Sequence, residues 1–319
     1  MSLIHYYNQP ELRDPVVLVA FGGWNDAAEA ATSAVKFLVD RWSSEKIAEI
    51  EAEEFFVFTE ARPTIRYEDG IQHPINWPLN QFFAQRLPEG TRDVILFNGI
   101  EPHLKWKSFS STFLDVCKHF NVSEVLFLGA LLAEIPHSAD VPIIGTSTNE
   151  EMQERLLEMA IRNSDYEGAT GILGVLQDAC RREQIPAASL WASASHYLAA
   201  TPNVKVTAAL LTYINQFLSF GLDLKEVHSE AVRFEERVTA LVAQDPEASA
   251  YVRRLEEQIA NGIEAEDEEG NAILHNPDRP VGTGPLPSAD SVIRHVEELL
   301  REERQNGNSA YFDDDEETE

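Results

Sequence analysis

The sequence predicts an α/β fold, a sheet flanked by helices, from three observations. Residues Val16 to Phe21 form an unbroken apolar run closed by Gly22-Gly23, short and β-branched enough to be a strand covered on both faces. The run passes into an Ala-rich stretch in which Ala34, Val35, Leu38 and Val39 make an apolar stripe at helical spacing. From residue 15 to about 219, apolar runs alternate with helical patterns, the rhythm of a sheet with helices packed on it.

The elements follow in order. Asn25 and Asp26 both suit an N-cap for the first helix. Further strands are expected at Glu54 to Phe58, Asp93 to Phe97, Glu124 to Gly129, Pro142 to Gly145 and Ser189 to Ser193. Between and after them, helices are expected at Phe109 to Phe120, Asn149 to Ile161 (with Asn149 as cap), Gly171 to Arg182 and Val206 to Phe220. The last is apolar on most sides, so it should be largely buried.

Composition changes beyond Gly221. Leu224, Val227, Ala231, Phe234, Val238 and Leu241 step by three and four, which describes one long amphipathic helix. Asp245-Pro246 should end it, because Pro suits a first helical turn but not an interior. Val252, Leu255 and Ile259 then mark a second helix, so residues 221–263 read as an antiparallel hairpin stopped at Gly262. Residues 1–220 form the α/β core, 264–287 an acidic and then Pro/Gly-rich linker, 288–304 a last helix, and 305–319 an acidic tail expected to be disordered.

With 319 residues the chain can bury a large core. Its formal net charge of −29 argues against binding nucleic acid or anionic membranes, which need clustered Lys and Arg. Cys117 and Cys180 fall in helical segments outside any Cys-x-x-Cys pair, so both are expected to be reduced core residues of a cytoplasmic protein. The first residues lack a secretory pattern, and no run approaches ~20 apolar residues.

The Gly22-Gly23-Trp24-Asn25-Asp26 turn is neither a dinucleotide fingerprint nor a phosphate loop, since no third Gly and no Lys stand at the required spacing. No cofactor is expected. None of the nine histidines pairs at the spacing of a helical zinc motif, so no metal is expected. Three polar clusters follow strands: Asn25 with Asp26, Asn98-Gly99-Ile100-Glu101-Pro102-His103, and Glu134-Ile135-Pro136-His137. Asp26, Glu101 and His137 are therefore the candidate catalytic groups, two carboxylates and a base near neutral pH. Gly22, Gly23, Trp24, Asn25, Asn98 and Gly99, with Gly168 and Gly171 of the Tyr166-to-Gly171 segment, are candidate ligand-binding residues. The same residues also fit turns and caps of separate loops.

Five ordered motifs carry a resemblance: Gly22 to Ala27; Asn98 to Pro102 with Trp106; Gly129 to His137; Tyr166 to Ile172; and Leu190-Trp191-Ala192 to His196-Tyr197. Through them the chain, from about residue 3 to residue 300, resembles the proteasome assembly chaperone type two family in its archaeal and actinobacterial branch. The resemblance implies a mixed or mainly parallel sheet, nucleoside phosphorylase-like, with a helical carboxyl-terminal extension. It also implies a homo-oligomer, with a trimer favoured, and a proteasome-related protein partner. Ser138-Ala139-Asp140 stands where members of that family commonly carry Thr-Arg-Pro, so the loop lacks the Arg on which an anion-binding role would rest. The leading expectation is a non-enzymatic assembly factor or oligomeric scaffold. The alternative is an enzyme or small-ligand binder using the carboxyl edge of the sheet, on a nucleoside-like or phosphorylated compound.

Overall fold

The computed structural model describes residues 3–68, 71–88, 92–164, 166–199 and 202–261. In chain order its elements are β1 (Ile4–Tyr6), β2 (Val16–Gly22), α1 (Ala30–Trp42), β3 (Glu45–Ile50), β4 (Tyr67–Glu68), β5 (Ile71–Gln72), β6 (Asn80–Gln85), β7 (Val94–Ile100), α2 (Trp106–His119), β8 (Glu124–Ala133), β9 (Ile143–Ser147), α3 (Glu150–Glu158), β10 (Arg162–Asn163), α4 (Ile172–Arg182), β11 (Ala187–Ser195), α5 (Val204–Leu218), α6 (Lys225–Val242) and α7 (Pro246–Ala260). Short 3-10 turns precede α1 and follow β11.

Nine strands form one mixed sheet in the order β1-β3-β6-β7-β2-β8-β11-β9-β10. Its centre, β7-β2-β8-β11, is parallel, while β6 joins β7, and β9 joins β11, antiparallel. The parallel strands are apolar at consecutive positions because both faces are covered. Val16, Leu18 and Ala20 of β2 pack with α1 and α5 on one face, and Val17, Val19 and Phe21 pack with α2 and α4 on the other. The second face is aromatic: Phe97 lies 4.8 Å from Phe21, 4.7 Å from Phe82 and 5.5 Å from Phe113, centroid to centroid. Such pairs each add about 0.5–1.5 kcal/mol beyond area burial.

The expected strand at Glu54–Phe58 is not one. Phe55 and Phe56 are both buried and their amides turn back onto the Ala52 carbonyl, so the apolar run reflects burial in a turn. The strand of this region is β3, eight residues earlier, whose charged residues at Glu45, Lys46 and Glu49 mask its pattern. Asn149 caps α3, accepting from the Met152 amide at 3.0 Å. Asp245 caps α7, with Pro246 in the first turn. Gly262 and the expected linker, last helix and tail lie outside the described residues.

All four parallel strands end at one edge of the sheet, at Gly22, Ile100, Ala133 and Ser195. Asn80, which opens β6, pairs with Ile50 at the end of β3. The loops after these strands, where α/β folds place ligands, and the excursion between β3 and β6 therefore share this carboxyl edge.

Candidate functional site

Adjacent residues of the first loop serve different elements. Asn25, 1% exposed, donates from Nδ2 to Glu101 Oε1 at 2.9 Å. The same carboxylate oxygen accepts from the Ile172 amide at 2.8 Å, so a side chain from the loop after β7 caps α4 and offsets the positive end of its dipole. The backbone completes the knot: Glu101 N–H donates to Gly22 O, and Ala130 N–H to Asn25 O, both at 2.9 Å. Gly171 is required at this junction. A Cβ there would lie 2.7 Å from Asn25 Nδ2 and 2.8 Å from Glu101 Oε1, and closer still to Asn25 Oδ1. That buried Oδ1 has no hydrogen-bond partner among the described residues.

Asp26 faces α1 instead. Its carboxylate accepts from the Ala31 amide at 2.7 Å, from the Thr32 amide, and from the Thr32 hydroxyl, capping the helix across the intervening 3-10 turn. Burial pushes this carboxyl up to about 6, against the hydrogen bonds from Thr32 and Ala31 that favour the charge. Of the two expected caps for α1, only Asp26 serves; Asn25 is committed to Glu101. Gly23 takes a φ of +117°, which its missing Cβ permits, and Trp24 beside it is exposed. Asn98 stands in β7, in register with Ala20 and Gln81. Gly99 gives room to the Asn80 side chain, whose Oδ1 accepts from the Ile100 amide. Gly168 gives room to the Tyr166 ring.

His137 belongs to a second cluster under the helical hairpin. The Tyr197 hydroxyl, fully buried, accepts from the His137 amide at 2.6 Å and lies 2.8 Å from Nδ1, while Nε2 lies 3.0 Å from Thr239 Oγ1 on α6. Thr239 donates its own proton to the Glu235 carbonyl. The pattern closes with one tautomer: Tyr197 O–H donates to Nδ1 and Nε2–H donates to Thr239, which leaves His137 neutral. Burial pushes His137 down to about 4; Glu235 and Glu256 pull the other way and Lys205 adds to the fall. A parallel anchor holds α7, where Tyr251 Oη lies 2.9 Å from His196 Nε2 while His196 Nδ1 lies 3.2 Å from the Ala133 carbonyl. Lys205 Nζ closes the loop, donating to the His137 and Ala139 carbonyls and to Glu235.

The structure thus brings Asn25, Glu101 and Gly171 together, and gives Asp26 and His137 separate partners. Among the described residues no group of three His, Cys, Asp or Glu could hold a metal ion. Cys117 and Cys180 are buried, unbridged thiols, and burial pushes Cys180 up to about 12.

A family model matches residues 20–242, described as the PAC2 family. The chain belongs to the PAC2 family. A PAC2 family protein from Streptomyces avermitilis is 36% identical over 75% of this chain and 100% of its own, with a TM-score of 0.68. A proteasome-assembly chaperone homologue from Mycobacterium tuberculosis is 38% identical over 74% of this chain and 99% of its own, at 0.67. An archaeal proteasome activator from Pyrococcus furiosus shares the fold alone, at 18% identity over 74% of this chain and 97% of its own, and 0.60. No curated protein matches the chain.

The PAC2 match ends at the last residue of α6, so α7 and its Tyr251 anchor lie beyond it. Sequence reasoning missed Tyr197, His196, Thr239 and Tyr251 as one cluster, because their contacts join segments up to 102 residues apart. It also missed the β4–β5 ribbon, which Asp69-Gly70 between Tyr67-Glu68 and Ile71-Gln72 signals.

Proposed function

We propose that this PAC2 protein is a non-enzymatic, proteasome-assembly-chaperone-like scaffold, cytoplasmic and homo-oligomeric, that binds a proteasome-related protein. One observation carries the reading: each of the three candidate acids and bases at the carboxyl edge holds the chain's own backbone or helices. Glu101 is held by Asn25 and the α4 amide, Asp26 by α1, and His137 by Tyr197 and Thr239. A catalytic acid or base must reach a substrate proton, and Glu101 Oε1, the Asp26 carboxylate and both ring nitrogens of His137 already hold partners within the chain. The family and the likeness to the mycobacterial proteasome-assembly chaperone homologue support the chaperone-like role. On this reading Gly22, Gly23, Gly99, Gly168 and Gly171 shape the edge, and Asn25, Asn98 and Trp24 belong to its framework and surface.

The orphaned Asn25 Oδ1 beside a helix start favours the small-ligand alternative, so the test sets the two against each other. Asp26→Ala and Glu101→Ala are melted with and without a panel of nucleosides and phosphorylated compounds. The scaffold reading expects both variants to melt lower and no compound to stabilise the wild type. A compound that stabilises the wild type but neither variant, with unliganded melting unchanged, would overturn it.

A further inference from the structure

We propose that Trp24 and the outward carboxylate oxygen of Glu101 form a docking point for an arginine side chain of a partner protein. The inference rests on the scaffold reading and gives its partner a chemistry. Glu101 divides the work of its two oxygens. Oε1 accepts from Asn25 Nδ2 and from the Ile172 amide, which fills both of its lone pairs. Oε2 accepts from no group among the described residues. It lies beside Gly23, 3.9 Å from where a Cβ on that residue would stand. Gly23 is exposed and Glu101 partly so, which puts this oxygen on the outer side of the junction with α4.

The charge of Glu101 also lacks a partner. Other carboxylates that are buried or half-buried take a cation from within the chain: Asp93 pairs with Arg13, Glu124 with Arg92 and Arg155, and Glu235 with Lys205. Glu101 forms no ion pair among the described residues. The start of α4 supplies roughly half a positive charge, so the remainder faces outward unmatched.

Trp24, next in the chain after Gly23, is unspent in the same way. The other four indoles are built into the fold. Trp42 packs edge-on against Phe220, Trp77 packs against Phe58, Trp106 donates to the Pro102 carbonyl, and Trp191 fills the space above Gly129. Trp24 is 58% exposed and makes no ring contact, cation contact or hydrogen bond among the described residues.

An open indole next to an unpaired carboxylate oxygen suits a guanidinium. The planar cation stacks on the indole face while its N–H groups donate to the oxygen; an ammonium brings only a point charge. The net charge of −29 draws a basic partner toward the chain, and the indole gives its arginine a fixed seat. Sites for free small molecules enclose most of the ligand, whereas Gly23 and Trp24 stand exposed on the edge. A side chain carried on a partner's surface needs no such enclosure.

The full-length protein, labelled with 5-fluorotryptophan, is titrated with acetyl-Gly-Arg-Gly-amide and with the same peptide carrying citrulline, a neutral isostere of arginine. Fluorine NMR follows the Trp24 signal, assigned from Trp24→Phe. The expected result is a saturable shift of that signal by the arginine peptide alone in the millimolar range, weakening as salt is added. Glu101→Gln keeps the Oε1 that serves Asn25 and Ile172 and replaces only the outward oxygen. It should fold as the wild type does and bind the arginine peptide about tenfold more weakly, the size of one lost charge-assisted contact. An unmoved Trp24 signal, an equal shift with the citrulline peptide, or undiminished binding by folded Glu101→Gln would each overturn the proposal. Should that variant fail to fold, the citrulline comparison on the wild type decides alone. Capture of a proteasome-related protein by Glu101→Gln as efficiently as by the wild type would leave the scaffold reading standing while this inference falls.

Discussion

Acid should loosen the helical hairpin through His137, and the size of the effect follows from its surroundings. The imidazole has an ordinary value of 6.5 and is held near 4 by burial between Tyr197 and α6. The folded state therefore binds fewer protons than the unfolded chain between those limits. Stability from this group is fully present above pH 6.5 and is lost as pH falls toward 4. At 1.36 kcal/mol per pH unit, the loss is about 3 kcal/mol. Asp26 works in the opposite sense over an overlapping range: its carboxyl is raised from 3.8 to about 6, so its contribution is present below pH 3.8 and is lost as pH rises through 6. The two partly cancel in the wild type, and a variant is needed to separate them. His137→Asn stays neutral and keeps an acceptor for the Tyr197 hydroxyl, but loses the Thr239 hydrogen bond, at a cost of about 1–2 kcal/mol at pH 7.5. Urea unfolding of both proteins from pH 7.5 to pH 4 should show that deficit shrink and then reverse, with the gap moving by about 3 kcal/mol. Hydrogen exchange in α6 should rise with acid in the wild type only. Parallel stability curves would refute the buried, neutral assignment of His137.

Three further outcomes follow from other contacts. Gly171→Ala should cost roughly 1–3 kcal/mol in chemical unfolding, because the methyl group displaces Asn25 and Glu101 from the start of α4. Asp26→Ala removes the cap of α1 and should cost more at pH 4 than at pH 7, since the wild-type carboxyl is favourably protonated at the lower pH; an equal cost at both would show that the carboxyl is not raised. Tyr251→Phe should lower stability by about 1 kcal/mol through loss of its hydrogen bond to His196, and proteolysis within α7 should speed up accordingly.

The central strands were legible because both faces of each are buried: Val16 to Phe21, Val94 to Phe97 and Val125 to Leu128 are unbroken apolar runs, and β2, β7 and β8 lie on them. A cap was legible where the capped amide lies within a few residues, as at Asn149, and Pro246 was legible as a first-turn residue. The outer antiparallel strands were not. β3 and β6 alternate polar with buried positions, and the double phenylalanine at Phe55-Phe56 offered a louder but misleading signal. The three loops of the candidate site were found, because strand ends are marked by Gly, Asn and Pro. Their partners were not, because Glu101 reaches Ile172 across 71 residues and His137 reaches Thr239 across 102. Local pattern carries information about one turn or one face, and such contacts depend on strand order.

The scaffold reading is tested most directly by affinity purification of the tagged, full-length chain from native lysate, with bound proteins identified by mass spectrometry. The account predicts that a proteasome-related protein co-purifies in a fixed ratio with several copies of the chain. Recovery of the chain alone, together with turnover of a small molecule by the purified protein, would contradict it.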